Sequence, residues 1–382
     1  MSVPITVRGR YLWRGDERFF VRGVVYQDRN VQDPISDACL PRLKHDLTLF
    51  KELGLNTLFV YTIDNSKRHK SAMKLLQDAG IYVFTAVSTQ INVINRSDPY
   101  GSYNRTAVIE FFQTVDTMAQ YPNTLGLLAG VAVMNSPISE HASPIIKAVV
   151  RDLKKYMELQ NVARGQRILP IGYAAGSPEQ LRTTNLDFLS LGDPASTIDF
   201  WTCNCYAWAG NSNLQMSGYE ALISRFRNAA IPIFMSEYGT NSIQPRLFQE
   251  TTALYSPQMS QVFSGGCAYE LWQGKNDHGL VELVDQKQPR GNQQQALARS
   301  NKPEKTAKRR RTEIGRVSIF HDFVNYKKNL EGTRGIENNW DGDVMEREAA
   351  DRGNVNTTQM SWPWEPQFQI PDTVVDWSQL EG

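Results

Sequence analysis

The chain is poor in cysteine and histidine, in charge of one sign and in long apolar runs. Its 382 residues include 4 cysteines and 5 histidines. Cys203 and Cys205 stand two apart on a predicted strand and share a face, unlike the ligand pairs of a zinc knuckle. The histidines (45, 69, 141, 278 and 321) are scattered. The expectation is therefore no metal site and no cofactor, with free thiols in a reducing compartment. A formal charge of +1 excludes a global field drawing the chain to nucleic acid or to an anionic membrane. The longest apolar stretch, Leu125 to Met134, is far short of a membrane span. Met1 to Arg8 holds no apolar core of a secretion signal. Trp377-Ser-Gln-Leu-Glu-Gly382 holds no hydrophobic tail of a lipid-anchor signal. From these absences an intracellular location is expected. Glycine-rich phosphate loops are missing as well: Gly23-Val-Val-Tyr-Gln27 follows an apolar strand where a dinucleotide fold needs G-x-G-x-x-G.

What is present is an alternation. With 41% hydrophobic residues the chain can bury a large core. Ile5-Thr-Val-Arg and Arg18-Phe-Phe-Val-Arg flank the turn residues Arg14-Gly-Asp-Glu17 and predict an N-terminal β-hairpin. Eight β-branched or aromatic runs follow: Phe19–Gln27, Thr57–Tyr61, Tyr82–Ala86, Leu125–Val133, Ile168–Tyr173, Phe200–Tyr206, Ile231–Ser236 and Cys267–Trp272. Helical patterns over Lys67–Ala79, Arg105–Gln120 and Ile145–Gln160 separate some of them. Eight strands alternating with helices predict an α/β fold, a closed (β/α)8 TIM barrel over residues 1–284. Residues 285–315 are polar and end in Lys305-Thr-Ala-Lys-Arg-Arg-Arg311, which reads as a disordered basic insertion. A solvated loop suits that run better than a nucleic-acid contact. Residues 316–382 predict a helix over Ile319–Tyr326 returning to the barrel, then an irregular extended tail carrying Trp340, Trp362 and Trp364.

In such a barrel the working residues project from the C-terminal strand ends. The run Ile231-Pro-Ile-Phe-Met-Ser ends in Glu237. A carboxylate closing an apolar strand faces the barrel mouth or a surface loop, since burying it alone is costly; the mouth is the better expectation. Phe234-Met-Ser-Glu-Tyr-Gly239 resembles the nucleophile motif of glycoside hydrolase family 72. Other segments follow that family in order: Val21-Arg-Gly-Val-Val-Tyr-Gln27, Asp33-Pro34, Leu53-Gly-Leu-Asn-Thr57, Val60-Tyr61, Met73 to Tyr82, Asn95-Arg-Ser-Asp-Pro99, Val150-Arg-Asp-Leu-Lys154, Cys203-Asn-Cys-Tyr-Ala-Trp208, Ser217-Gly-Tyr-Glu220 and Gly265-Gly-Cys-Ala-Tyr-Glu270. The resemblance covers roughly residues 5–284, with a weaker echo over 317–330.

The resemblance implies a β-1,3-glucanosyltransferase of fungal cell-wall glucan, with β-1,3-glucan as the partner. It acts by a retaining mechanism that needs two carboxyls about 5–5.5 Å apart, one nucleophilic and one acid/base. Carried over, Glu237 is the nucleophile, and Tyr26, Tyr61, Tyr206 and Tyr269 are candidates for substrate binding. Each tyrosine fits core packing as well. The pattern breaks at the acid/base. The family reads Ala-Gly-Asn-Glu-Val where this chain has Ala129-Gly130-Val131-Ala132-Val133, so Ala132 stands for the glutamate and Val131 for the asparagine that supports the sugar. Phe59 stands for an arginine near the nucleophile. The family's cysteines fall on Leu43, Ala72, Leu191, Ala209 and Thr240. Weak or absent activity is expected, general acid/base help being worth about 10²–10⁴ in rate. Glu140, Glu220 and Glu270 are the other acids near strand ends. The alternative is a non-catalytic glucan-binding or interaction protein.

Overall fold

A computed structural model describes residues 2–27, 31–176, 183–284, 305–335 and 369–380. The opening segment is a three-stranded antiparallel meander of β1 (Ile5–Arg8), β2 (Tyr11–Arg14) and β3 (Glu17–Phe19). The expected hairpin has the right second turn, but Tyr11–Arg14 forms a middle strand that pairs with both neighbours. Both turns are two residues long, and Gly9 and Gly15 supply the left-handed φ of 53° and 62° that such tight hairpins require.

Eight parallel strands then close a barrel: β4 (Val21–Val25), β5 (Thr57–Val60), β6 (Tyr82–Ala86), β7 (Thr124–Val131), β8 (Ile171–Ala175), β9 (Phe200–Cys205), β10 (Ile233–Tyr238) and β11 (Phe263–Ala268). The (β/α)8 expectation holds. The last strand sits earlier than the sequence suggests, ending at Ala268 rather than running from Cys267 to Trp272. Gly265 and Gly266 disguise it: a Cβ at Gly265 would strike the Val21 carbonyl, and one at Gly266 would strike Met235. Here the glycine pair permits close strand packing instead of marking a turn. This shift puts Tyr269 immediately past the strand end.

Two apolar cores follow from the alternation of side chains along the strands. The inner one fills the barrel with Phe59, Phe84, Phe200 and Phe234 and is joined by Ile5, Leu12 and Phe19 of the meander. Phe59 and Phe84 stack at 4.5 Å, and Phe84 meets Phe234 edge-on at 5.3 Å. The outer core lies between strands and helices, and Cys203 and Cys205 both belong to it, as their spacing predicts. Leu43 and Ala72, at two positions of the family's cysteines, are fully buried there, so apolar packing fills that place. The four cysteines are free thiols.

Beyond the barrel, β12 (Val281–Leu283), β13 (Thr306–Thr312) and β14 (Gly315–Phe320) form a small antiparallel sheet in the order β12-β14-β13. This corrects two expectations. The basic run is an ordered edge strand, in which Arg310 makes a two-pronged ion pair with Glu52 at 2.6 and 2.9 Å. Ile319 and Phe320 end a strand, and the helix spans His321–Glu331. Val317 to Phe320 are all buried and β14 pairs on both sides, with β12 and β13, so sheet pairing overrides the helical reading of Ile319 and Phe320. The helix is fastened to the barrel by Tyr326 on the Gly23 carbonyl and by Arg22 on Leu330 and Thr333. Residues 285–304 of the expected insertion, and Trp340, Trp362 and Trp364 of the tail, lie outside the described residues. At 369–380 the tail crosses the helices Arg105–Ala119 and Ser143–Arg164, through Trp377 against Phe112 and the Pro371 carbonyl on Arg151.

Candidate active site at the barrel mouth

Glu237 is the penultimate residue of β10 and only 7% exposed. Both carboxylate oxygens are engaged. The Tyr61 hydroxyl, just past β5, donates to Oε1 at 2.5 Å, and the Tyr206 hydroxyl, just past β9, donates to Oε2 at 2.6 Å. Asn204 adds a third hydrogen bond and is itself held by the Ser236 hydroxyl at 2.9 Å. Burial pushes the Glu237 carboxyl above its ordinary range, and the three donors pull it back. Burial and the neighbouring carboxylate hold the Tyr61 and Tyr206 hydroxyls protonated, as donors must be. A carboxylate fixed from both sides on a rigid strand end is well placed to meet an electrophilic carbon.

Tyr269 completes the ring. Its hydroxyl accepts from Asn276 at 2.8 Å, and its ring meets Tyr206 and His278 edge-on at 6.2 and 5.2 Å. Burial, then the nearby Arg246 charge, lowers His278 to about 4, so a neutral imidazole borders the mouth at pH 7. Arg246 lies beneath. It bonds the carbonyls of Gly239, Tyr269 and His278 at 3.1, 2.5 and 2.6 Å, and pairs with buried Asp322 at 2.6 Å. One guanidinium thus ties the ends of β10 and β11 to the helix His321–Glu331. Sequence reading missed Arg246: nothing in its loop marks it, because its partner is 76 residues away.

Of the proposed substrate tyrosines, three surround Glu237 and one does not. Tyr26 is 1% exposed and donates to buried Asp46 at 2.9 Å, which also receives the Trp272 indole. Its place is structural support. Trp208 is likewise buried, edge-on to Tyr219. Phe59 sits one layer below the mouth and meets the Tyr61 ring edge-on at 4.9 Å, so it props a donor to Glu237 by packing.

The other side of the mouth is β7, the fourth barrel strand to Glu237's seventh. Val131 packs on the inner core of the barrel. Ala132 follows with φ of 48°, a left-handed conformation, and its N–H bonds the Ala174 carbonyl at 2.7 Å. L-residues enter that region at a cost of about 1–2 kcal/mol. Next, Met134 N–H donates to the buried Tyr173 hydroxyl at 2.7 Å. Of the other acids near strand ends, Glu220 is exposed at a helix start, Glu140 is half-buried in the short 3-10 helix Pro137–Ala142 after β7, and Glu270 is buried directly after Tyr269. No three described His, Cys, Asp or Glu side chains cluster as metal ligands, and no described helix is long and apolar enough to cross a membrane.

The family model described as glucanosyltransferase, glycoside hydrolase family 72, matches residues 1–302. The chain belongs to this family. Among its relatives are the 1,3-beta-glucanosyltransferase gel1 of Aspergillus fumigatus, 42% identical over 283 residues, and GAS5 of Saccharomyces cerevisiae, 40% identical over 290. The matches cover 73% and 74% of this chain, but 61% and 59% of those proteins; the chain spans about three fifths of the length of the curated relatives it matches. The solved structure of Saccharomyces cerevisiae Gas2p in complex with laminaritriose and laminaritetraose superposes with a TM-score of 0.73 at 31% identity, covering 86% of this chain and 68% of that one. Of the segments shared with the family, those around Glu237, Tyr61, Tyr206 and Tyr269 lie at the C-terminal strand ends, whereas Met73 to Asp78 and Val150 to Lys154 lie on helices.

Proposed function

We propose that the barrel mouth binds β-1,3-glucan and holds the nucleophilic half of a retaining transglycosylation site, with chain transfer impaired because Ala132 occupies the acid/base place. The carrying observation is Glu237, clamped by Tyr61 and Tyr206 on one side of the mouth, with Val131 and Ala132 on the other. Attack by Glu237 on the anomeric carbon expels the far part of the glucan as an alkoxide. An alanine cannot protonate that oxygen, nor later deprotonate the acceptor hydroxyl. Glucan recognition is supported by the laminari-oligosaccharides bound to Gas2p and by the three tyrosines left half-exposed at the mouth.

The test is a transfer assay on reduced laminari-oligosaccharides, run beside Glu237→Gln, with calorimetry of the same sugars. Binding heat with little or no product lengthening is expected. Brisk transfer that vanishes in Glu237→Gln overturns the impairment, and no heat at millimolar sugar overturns the binding. A purely non-catalytic glucan-binding role is the second reading, favoured by the apolar pair Val131-Ala132. We also place the protein in a reducing compartment, on the strength of its free thiols; fractionation of cells carrying a labelled chain checks this.

A further inference from the structure

The proposed reading leaves a nucleophile without a proton donor, and that combination selects its substrates by leaving-group chemistry. Acid catalysis of glycoside cleavage matters in proportion to the basicity of the departing oxygen. A sugar alkoxide needs the proton; a carboxylate, phosphate or acidic phenolate does not. On the nucleophile side nothing is missing, since Glu237 is buried, aligned by two tyrosine hydroxyls and set on a rigid strand.

The β7 side is more than a gap. Ala132 and Val131 are both half-exposed to the mouth. A small uncharged side chain accommodates an anion where a glutamate would repel one. We infer that this chain takes laminari-oligosaccharide donors whose anomeric group leaves as a stable anion, and passes the sugar to an acceptor that is already anionic, at a subsite beside Ala132. This rests on Glu237 being the nucleophile of a glucan-binding mouth.

The chemistry balances without a proton. A Glu237 oxygen forms a bond to C1 as the bond from C1 to the aglycone breaks, and the aglycone departs with the electron pair. An anionic acceptor then attacks C1 from the vacated face, the ester to Glu237 breaks, and the carboxylate is restored. Two inversions retain the β configuration.

Dinitrophenyl β-laminaribioside supplies such a donor and azide such an acceptor. The wild-type chain should release one equivalent of dinitrophenolate in a burst and carry the disaccharide on Glu237 by intact-protein and peptide mass. Azide should raise steady turnover tenfold or more and yield the β-glycosyl azide, with Glu237→Gln showing neither. In Ala132→Glu, where a carboxylate fills the subsite, azide should lose most of its effect. Calorimetric binding of laminari-oligosaccharide without a burst overturns this inference and leaves the glucan-binding reading standing. Neither binding nor burst overturns both. A burst that azide does not relieve overturns the anionic acceptor, and transfer from unactivated oligosaccharide at a rate matching the dinitrophenyl donor overturns the need for an anionic leaving group.

Discussion

The two sides of the barrel mouth have had different fates. Around β10 the polar shell is complete: Glu237 has a donor on each oxygen, Asn204 is seated by Ser236, and Arg246 knits three carbonyls to Asp322. Around β7 the strand closes on Val131 and Ala132, which offer no polar side chain to the mouth, and Ala132 holds a strained left-handed backbone. Hydrogen bonds explain the contrast. Each polar group near Glu237 satisfies another, so removing any one strands a buried partner. On the proposed reading, a glutamate facing an open mouth leaves no such debt, so its replacement by Ala132 impairs transfer without destabilising the fold.

The comparison breaks most sharply if the lost side can be rebuilt. Val131→Asn with Ala132→Glu should raise transfer between laminari-oligosaccharides by about 10²–10⁴-fold, the usual worth of acid/base help. Product lengthening read by chromatography decides it, and no gain would mean that the cleft has closed in other ways as well.

Next in size is the fastening beneath the retained side. Arg246→Leu leaves Asp322 buried without its charge partner, a change of about 3–5 kcal/mol. Urea denaturation measures this. A loss below about 1 kcal/mol would show that the two strand ends do not depend on the helix His321–Glu331.

Removing one donor tests the clamp more gently. Burial raises the Glu237 pKa and the Tyr61 bond lowers it, so Tyr61→Phe should raise it further. The sign for stability follows. An acid whose folded pKa lies above its unfolded one binds more protons when folded, so stability falls as pH climbs from the unfolded value through the folded one. Tyr61→Phe should extend that window upward. The pH profile of mechanism-based labelling at Glu237 should move the same way, and an unmoved profile would show that the hydroxyl does not act on the carboxylate.

How much of this was legible in the sequence varies with distance along the chain. The strand Ile233–Tyr238 and its penultimate glutamate follow from local apolar patterning and barrel topology, and Tyr61 and Tyr206 from motif matches just past strand ends. Tyr26 misled because its motif match says nothing about direction: its hydroxyl goes to Asp46, on a neighbouring helix. Arg246 was invisible because its partners come from four separate segments. The basic run misled because charge was read as disorder, whereas Glu52, contributed by the distant helix Leu40–Leu53, neutralises Arg310 and lets the strand form. Gly265-Gly266 hid a strand because the close approach of Val21 and Met235 exists only after closure.

The smallest effect bears on the strain that β7 retains. At φ of 48° Ala132 bears a cost that glycine avoids, about 1–2 kcal/mol, while glycine in turn loses about 0.5–1 kcal/mol through the freer unfolded chain. Ala132→Gly should therefore stabilise the fold by up to about 1 kcal/mol, a rise of a few degrees at most in melting temperature. A comparable substitution on β10 has no such licence, since Ser236 and Glu237 each bond a neighbour. If Ala132→Gly destabilises instead, the methyl group is making contacts in the mouth that outweigh the strain, and the β7 side is packed as closely as the β10 side is hydrogen-bonded.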